Sequence, residues 1–296
     1  MSRAADRLLW PAVALATGFY AAWGAAPQAA LFRSTLGPHV LLALASVAKL
    51  AFLFAGALWA WRCRSALEPG NPVRPAWTLL AAGVGATFIG QAWLAPYQIF
   101  AGRSPFPTAA DLFYVAAYPL LAAALVWFSV AYARAGFPTG TAAERTAIVF
   151  VAAVACLALA VPVLRPVLRA EMAPLDKALS VAYPALDLVL LVPLALLLRI
   201  TLRFRGGVLG TAWLVVLTGF VALCAADVLF AYLTALGREG LDPFVHAGYI
   251  VSYGTIAGGI RRHLRLLRYT SPRYSSRPVL SPIDSGWTPI RSSRVR

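Results

Sequence analysis

Three ionisable side chains stand deep inside long apolar runs: Lys49, Asp187 and Asp227. Each lies about 10 to 12 residues from the expected outer end of its run. At 1.5 Å per residue that is a depth of roughly 15–18 Å, near the middle of a bilayer. A lone charge there costs at least about 2.5–3.5 kcal/mol, so the three are expected to face a bundle interior and one another. Lys49 is expected to pair with Asp187, with Asp227 or with both. Gln91 and Thr87 share one helix face and are expected to join them. Such a layer can form the floor of a ligand or ion cavity, or it can be a structural ion pair that fixes helix register.

A second pattern sits nearer the same end of the runs. Asp111 is followed by Tyr114 and Tyr118, and His246 by Tyr249 and Tyr253; a third segment, Asp176, Leu179 and Tyr183, keeps the register with leucine for the first tyrosine. Spacings of three and seven place these residues on one face of a helix. The expected cavity walls are therefore Asp111, Tyr114, Tyr118, Tyr183, His246, Tyr249 and Tyr253 above the Lys49, Asp187 and Asp227 floor. Interfacial tyrosine belts are the competing explanation.

Positioning these residues falls to membrane helices. The 296 residues are 60% hydrophobic, with mean hydropathy +0.73 and only 12% charged residues. A soluble domain carries roughly 25% charged residues. Apolar runs of about 20 residues recur along the whole chain, the length a helix needs to cross a hydrocarbon core. Alternating ten-residue segments are absent, which excludes an outer-membrane barrel. The pattern predicts an all-α integral membrane protein of about eight transmembrane helices near 8–32, 38–61, 76–100, 109–133, 145–164, 177–200, 208–236 and 243–266. Prolines and glycines punctuate the gaps, at Gly37-Pro38, Pro69-Gly70, Pro105-Phe106-Pro107 and Gly136-Phe137-Pro138. The repeated motif implies tandem helical hairpins, 3–4, 5–6 and 7–8, with 1–2 as a diverged copy. Pro119, Pro184 and Gly254 are expected to break their helices at matching places.

The net charge of +15 speaks for orientation in the membrane and against nucleic acid as a partner, because the cations cluster in short loops and the tail. With the N-terminus inside, 19 Lys and Arg fall on the cytoplasmic side and 6 outside. Trp59, Trp61, Trp77 and Trp213 then lie at inner helix ends. Both termini are expected to be cytoplasmic, in a bacterial inner membrane; 24 arginines against 2 lysines suggest a GC-rich genome. Arg3 and Arg7 before an apolar stretch and Ala25-Ala26-Pro27 leave a cleaved signal peptide as an alternative to a retained first helix. Residues 1–266 form the expected membrane domain. Residues 267–296, rich in Ser, Pro and Arg, form an expected disordered tail, open to anionic lipid headgroups or a cytoplasmic signalling partner.

Catalysis has little to stand on. There is no HExxH, no GxSxG elbow, no P-loop, no aspartate-rich metal motif and no lysine in the last two helices for a retinal Schiff base. Cys63, Cys156 and Cys224 are far apart and suggest neither a disulfide framework nor a metal site. His39 and His263 fall near membrane boundaries and are expected to be solvated. No enzymatic role, cofactor or metal is expected.

The segments PFPTAADLFYVAAYPLLAAALVW, VAYPALDLVLLVPLALLLR, CAADVLFAY and LDPFVHAGYIVSYGTIAGG together resemble the multi-helix membrane sensor region of bacterial diguanylate cyclases, the GGDEF proteins. The resemblance spans roughly residues 75 to 266 and rests on Asp111, Tyr118, Pro119, Pro184, Asp187, Asp227 and Tyr249. It implies a sensory membrane module. The chain departs from that family where the output domain follows the last helix, since a basic tail stands there without a GGDEF string, so cyclase activity is not carried over. The expectation is a sensory or signalling module that takes a ligand in an outer-half polar cavity. The alternative is a small ion- or proton-coupled transporter using the Lys49, Asp187 and Asp227 layer.

Overall fold

The computed structural model describes residues 3–29, 37–137, 140–169, 171–202, 207–236 and 243–270. They form eight α-helices: α1 (Arg3–Ala25), α2 (Gly37–Ser65), α3 (Arg74–Phe100), α4 (Ala110–Arg134), α5 (Ala142–Arg169), α6 (Pro174–Leu202), α7 (Val208–Ala235) and α8 (Pro243–Thr270). Among the described residues there is no strand. Six helices, α1 to α4, α6 and α7, are long and apolar enough to cross a membrane. The protein thus has multi-pass membrane character. α8 continues over 267–270, past the boundary expected at 266, and the expected disordered tail from 271 on lies outside the described residues.

Neighbouring helices close a ring. α2 packs on α3, α3 on α4, α4 on α6, α6 on α7, α7 on α8, and α8 back on α2. α5 leans on α6 and α7 from outside the ring, and α1 lies on α8. The sequential pairs 3–4, 5–6 and 7–8 are in contact, and so are α2 and α3, which the tandem-hairpin pattern assigns to different hairpins. The pair 1–2 departs from it. α1 takes α8 as its main partner and meets α2 chiefly through the Tyr20 hydroxyl, which donates to the Leu41 carbonyl.

Small residues explain that choice. A Cβ on Gly258 would stand 2.7 Å from the Trp10 ring, and one on Gly254 would strike Val13. The glycine face of α8 therefore lets α1 approach more closely than a side chain would allow, the usual basis of helix association in lipid. Gly254 was expected to break its helix, but α8 runs straight through it. Its lack of a side chain serves packing. Helices α4 and α6 likewise continue through Pro119, Pro184 and Pro193. Each proline removes one backbone donor, and in a membrane bundle neighbouring groups and local adjustment absorb the loss.

The ring is solid at its arginine-rich end. Trp77, Phe128 and Trp213 meet edge to face or stacked, with Trp77 and Phe128 centroids 5.0 Å apart and Phe128 and Trp213 4.6 Å apart. His263 sits between the two tryptophans, 5.4 Å from Trp77 and 4.5 Å from Trp213, and is only 3% exposed. The expectation of a solvated His263 is thus corrected: its position on α8, inside the ring, turns it toward aromatic rings. His39 is exposed, its Nε2 2.5 Å from the Ile99 carbonyl. Arg64, Arg261 and Arg262 cover the rings of Trp61, Trp59 and Trp10 at the same end, placing guanidinium groups over indoles as an interfacial belt does.

Candidate functional site: a tyrosine-walled cavity

At the opposite end, the ring encloses a cavity of about 110 Å³ that runs inward from the α3–α4 loop. Every ring helix lines it. α2 contributes Lys49; α3 contributes Thr87, Gln91 and Gln98; α4 contributes Asp111, Tyr114 and Tyr118. From the other side come Tyr183 of α6, Asp227 of α7, and His246, Tyr249 and Tyr253 of α8. Ten of the eleven residues expected from sequence spacing line this one space. The eleventh, Asp187, stands behind it at 1% exposure and reaches it through Tyr118.

Hydroxyls and carboxylates are matched across helices. Tyr183 donates to Asp111 Oδ1 at 2.5 Å, tying α6 to α4. Tyr249 donates to Asp227 Oδ1 at 2.6 Å, tying α8 to α7. The Tyr118 hydroxyl lies 2.7 Å from Asp227 Oδ2 and 3.0 Å from Asp187 Oδ1, so α4 bridges α7 and α6 through one oxygen. A hydroxyl has a single proton to give, so the two carboxyl groups share one phenol donor. Tyr118, Tyr183 and Tyr249 thus act as partners of acids on neighbouring helices.

Asp111 does double duty. Its Oδ2 accepts from the Thr108 backbone N–H at 2.6 Å, while the Thr108 hydroxyl accepts from Ala110 N–H at 3.2 Å. Thr108 and Asp111 thus exchange side-chain-to-backbone hydrogen bonds in the turn that leads into α4, whose N-cap residue is Ala109. The same carboxylate therefore starts α4 and holds the Tyr183 hydroxyl. Asp176, the counterpart in α6, is absent from the cavity lining.

One wall is amide rather than acid. Gln91 Nε2 donates to Ser46 Oγ at 3.2 Å and to Gln98 Oε1 at 3.0 Å, and its Oε1 accepts from Tyr114 at 3.3 Å. Gln98 Nε2 donates to Ser104 Oγ at 3.0 Å. Ser46, Gln98 and Ser104 escaped the sequence reading. Gln98 was within reach of it, standing seven residues after Gln91 on the same face. Phe106 and Phe230, which also line the cavity and meet edge to face at 5.4 Å, lie in a loop and on an all-apolar stretch and carried no signal.

Lys49 departs from expectation. It is 3% exposed and lines the cavity, yet among the described residues it makes neither an ion pair within 4.0 Å nor a hydrogen bond. Its Nζ lies 6.0 Å from the centroid of the Tyr249 ring. The expected pairing with Asp187 or Asp227 is not formed: those carboxyl groups meet the Tyr118 and Tyr249 hydroxyls instead, and Asp187 lies behind Tyr118. The ion pair that is present joins Arg199 to Glu144 at the arginine-rich end, between α6 and α5.

Among the described residues no group of three or more His, Cys, Asp or Glu side chains is arranged to hold a metal ion. Cys63 and Cys224 are free and buried; the Cys156 side chain lies outside the described ones. The chain matches no protein-family model, no curated protein and no solved structure.

Proposed function

We propose that this protein is a sensory membrane module whose ligand occupies the tyrosine-walled cavity. The observation that carries the reading is convergence: all six ring helices place a polar side chain on one space, while no described side chain of α1 or α5 lines it. A ligand seated there touches every contact of the ring at once, so its binding energy can bias how the helices pack. A ligand shifts a conformational equilibrium only by its differential affinity for two states, and helix packing is the variable this site can address. The resemblance to the membrane sensor region of diguanylate cyclases points the same way, and Asp111, Tyr118, Asp187, Asp227 and Tyr249 are all part of the network.

In this reading all eight helices span a bacterial inner membrane with both termini cytoplasmic. α5 holds 18 uncharged residues over 147–164, and α8 holds none of Asp, Glu, Lys or Arg over 243–260. α8 is less apolar than the rest because it is shielded by α1, α2 and α7 rather than by lipid. The packing of α1 on α8 favours retention of the first helix over cleavage. The cavity then faces outward, and the tail meets the inner leaflet or a signalling partner. A cysteine at Ser104 should react with an impermeant maleimide on intact cells, and one at Ser285 only after lysis, in a background lacking the native cysteines; the reverse pattern would invert the orientation.

The function itself is tested by thermal unfolding of the purified protein in detergent between pH 5 and 8 against a metabolite and lipid library. The expected result is a compound that stabilises the wild type and not Lys49→Met or Asp187→Asn. If no compound stabilises the wild type and both variants are simply weaker, the cavity is structural. A proton-coupled carrier is the second reading, favoured by the single Tyr118 proton between Asp187 and Asp227; it requires uptake that Asp187→Asn and Asp227→Asn abolish. The solid Trp77, Phe128 and Trp213 end weighs against it, since alternating access has to open that packing.

A further inference from the structure

The cavity's unmet demands define what it takes. Its phenol donors are largely committed: Tyr114, Tyr118, Tyr183 and Tyr249 each hold an oxygen of Gln91 or an aspartate. What is left over is the Lys49 ammonium, which at 3% exposure has three donors and no acceptor among the described residues. A buried ammonium asks for an anionic or strongly accepting group. A bare anion is nonetheless a poor fit. Around one ammonium stand three carboxyl groups, Asp111 and Asp227 on the cavity and Asp187 behind Tyr118. The excess of acid over base repels an added negative charge and attracts a positive one. Phenol faces add to this pull: Tyr249 and Tyr253 stack with centroids 5.8 Å apart, and Tyr118 and Tyr183 stand 6.4 Å apart. Tyrosine π-faces are the surfaces that hold ammonium groups.

Both demands are met by one class of molecule. Resting on the reading of the cavity as a ligand site, we propose that it binds a small zwitterion, an amino acid or comparable short amino-carboxylate. Its carboxylate lies on Lys49 and its ammonium on Asp227 and the phenol faces. The two poles are one tyrosine apart: the Tyr249 ring centroid is 6.0 Å from Lys49 Nζ, and the Tyr249 hydroxyl is 2.6 Å from Asp227. Lys49 and Asp227 form no ion pair within 4.0 Å, so a bridging molecule can hydrogen-bond to each. Size limits the molecule too. A dry cavity of about 150 Å³ accommodates benzene, with six heavy atoms, so in proportion 110 Å³ admits a compound close to glycine in size. Leu121 and Leu223 offer a small side chain an apolar wall.

The test is calorimetric titration of the full chain in lipid nanodiscs with glycine, L-alanine and β-alanine, and with propionate and propylamine as single-pole probes. Saturable heat from at least one zwitterion, with at least tenfold weaker binding of both single-pole probes, is the expected result. Lys49→Met should bring the zwitterion down to the level of propylamine. Should Lys49→Met fold poorly, Tyr249→Phe, which keeps the ring and frees one oxygen of Asp227, should alter zwitterion affinity while leaving propionate unmoved. Tight binding of propylamine alone or propionate alone overturns the zwitterion and leaves the cavity a ligand site. Absence of heat from all five also overturns the zwitterion, and the library screen then decides separately whether the cavity binds anything.

Discussion

Replacing Tyr118 by phenylalanine removes one oxygen and leaves the ring, which isolates the bridge between α4, α6 and α7. Hydrogen bonds between membrane helices average about 0.6 kcal/mol by double-mutant cycles, with a maximum near 1.7, because polar groups also find partners in the unfolded state. Bonds to charged groups are stronger, about 1.5–3 kcal/mol. Tyr118 touches two carboxyl groups, at 2.7 and 3.0 Å. Asp227 keeps the Tyr249 hydroxyl after the change, whereas Asp187, 1% exposed, loses its phenol donor. The expected loss is therefore that of one strong bond between membrane helices, up to about 1.7 kcal/mol. Tyr132→Phe is the internal control. Its hydroxyl accepts from Trp213 Nε1 at 2.8 Å, a neutral pair whose removal should cost about 0.6 kcal/mol. Unfolding in mixed micelles of rising dodecyl sulfate fraction, followed by circular dichroism, gives both numbers. Adding Asp187→Ala to Tyr118→Phe should cost less than the sum of the two single changes, since both delete the same contact. If Tyr118→Phe costs no more than Tyr132→Phe, or the double variant is additive, the bridge holds nothing together.

Lys49→Met should leave the empty protein as stable as before, or raise its stability by about 1–4 kcal/mol, because it removes a buried charge that has no counter-ion; a loss of about 3–5 kcal/mol in the same unfolding assay would mean that Lys49 is ion-paired after all. Phe128, fully buried between Trp77 and Trp213, should cost about 3–5 kcal/mol when truncated to alanine, as core aromatics do. Gly258→Leu should displace Trp10 and cost about 1–3 kcal/mol by overpacking, while leaving ligand binding in the cavity intact because α1 does not line it. Arg199→Ala should change stability by less than about 1 kcal/mol, since its partner Glu144 is half exposed at the end of the bundle.

Helix positions were legible in the sequence because lipid imposes a length and a polarity on each crossing. α7, expected over 208–236, runs from Val208 to Ala235. Site membership was legible for a related reason. A charged, amide or phenol side chain inside an apolar run has to turn from lipid, and six helices with such residues have only one interior to turn toward. Partner choice was not legible. The Lys49 and aspartate charges predict an ion pair, yet phenols on the same helix faces reach the carboxylates first, and nothing in the spacing ranks a tyrosine against a lysine. Nor does the chain order reveal that α1 joins α8. That contact depends on Gly254 and Gly258, whose meaning appears only when a particular helix lies against them.

The ring also explains why one helix reads weakly in the sequence and yet matters most at the site. α8 packs against α1, α2 and α7, so almost none of its surface meets lipid, and the apolar demand that marks the other spans is relaxed. That freedom is used in two ways. Between His246 and Tyr253 it carries three of the cavity's polar side chains, and from Gly254 to Gly259 it carries the small residues that let its neighbours close in. Beyond these it holds His263 between Trp77 and Trp213. One helix thus joins the cavity, the packed aromatic end and the tail that follows residue 270. In the proposed sensor reading, a molecule that pulls on Tyr249 and Tyr253 acts on the element leading into the tail, so α8 is the element through which occupancy would reach the other side of the membrane.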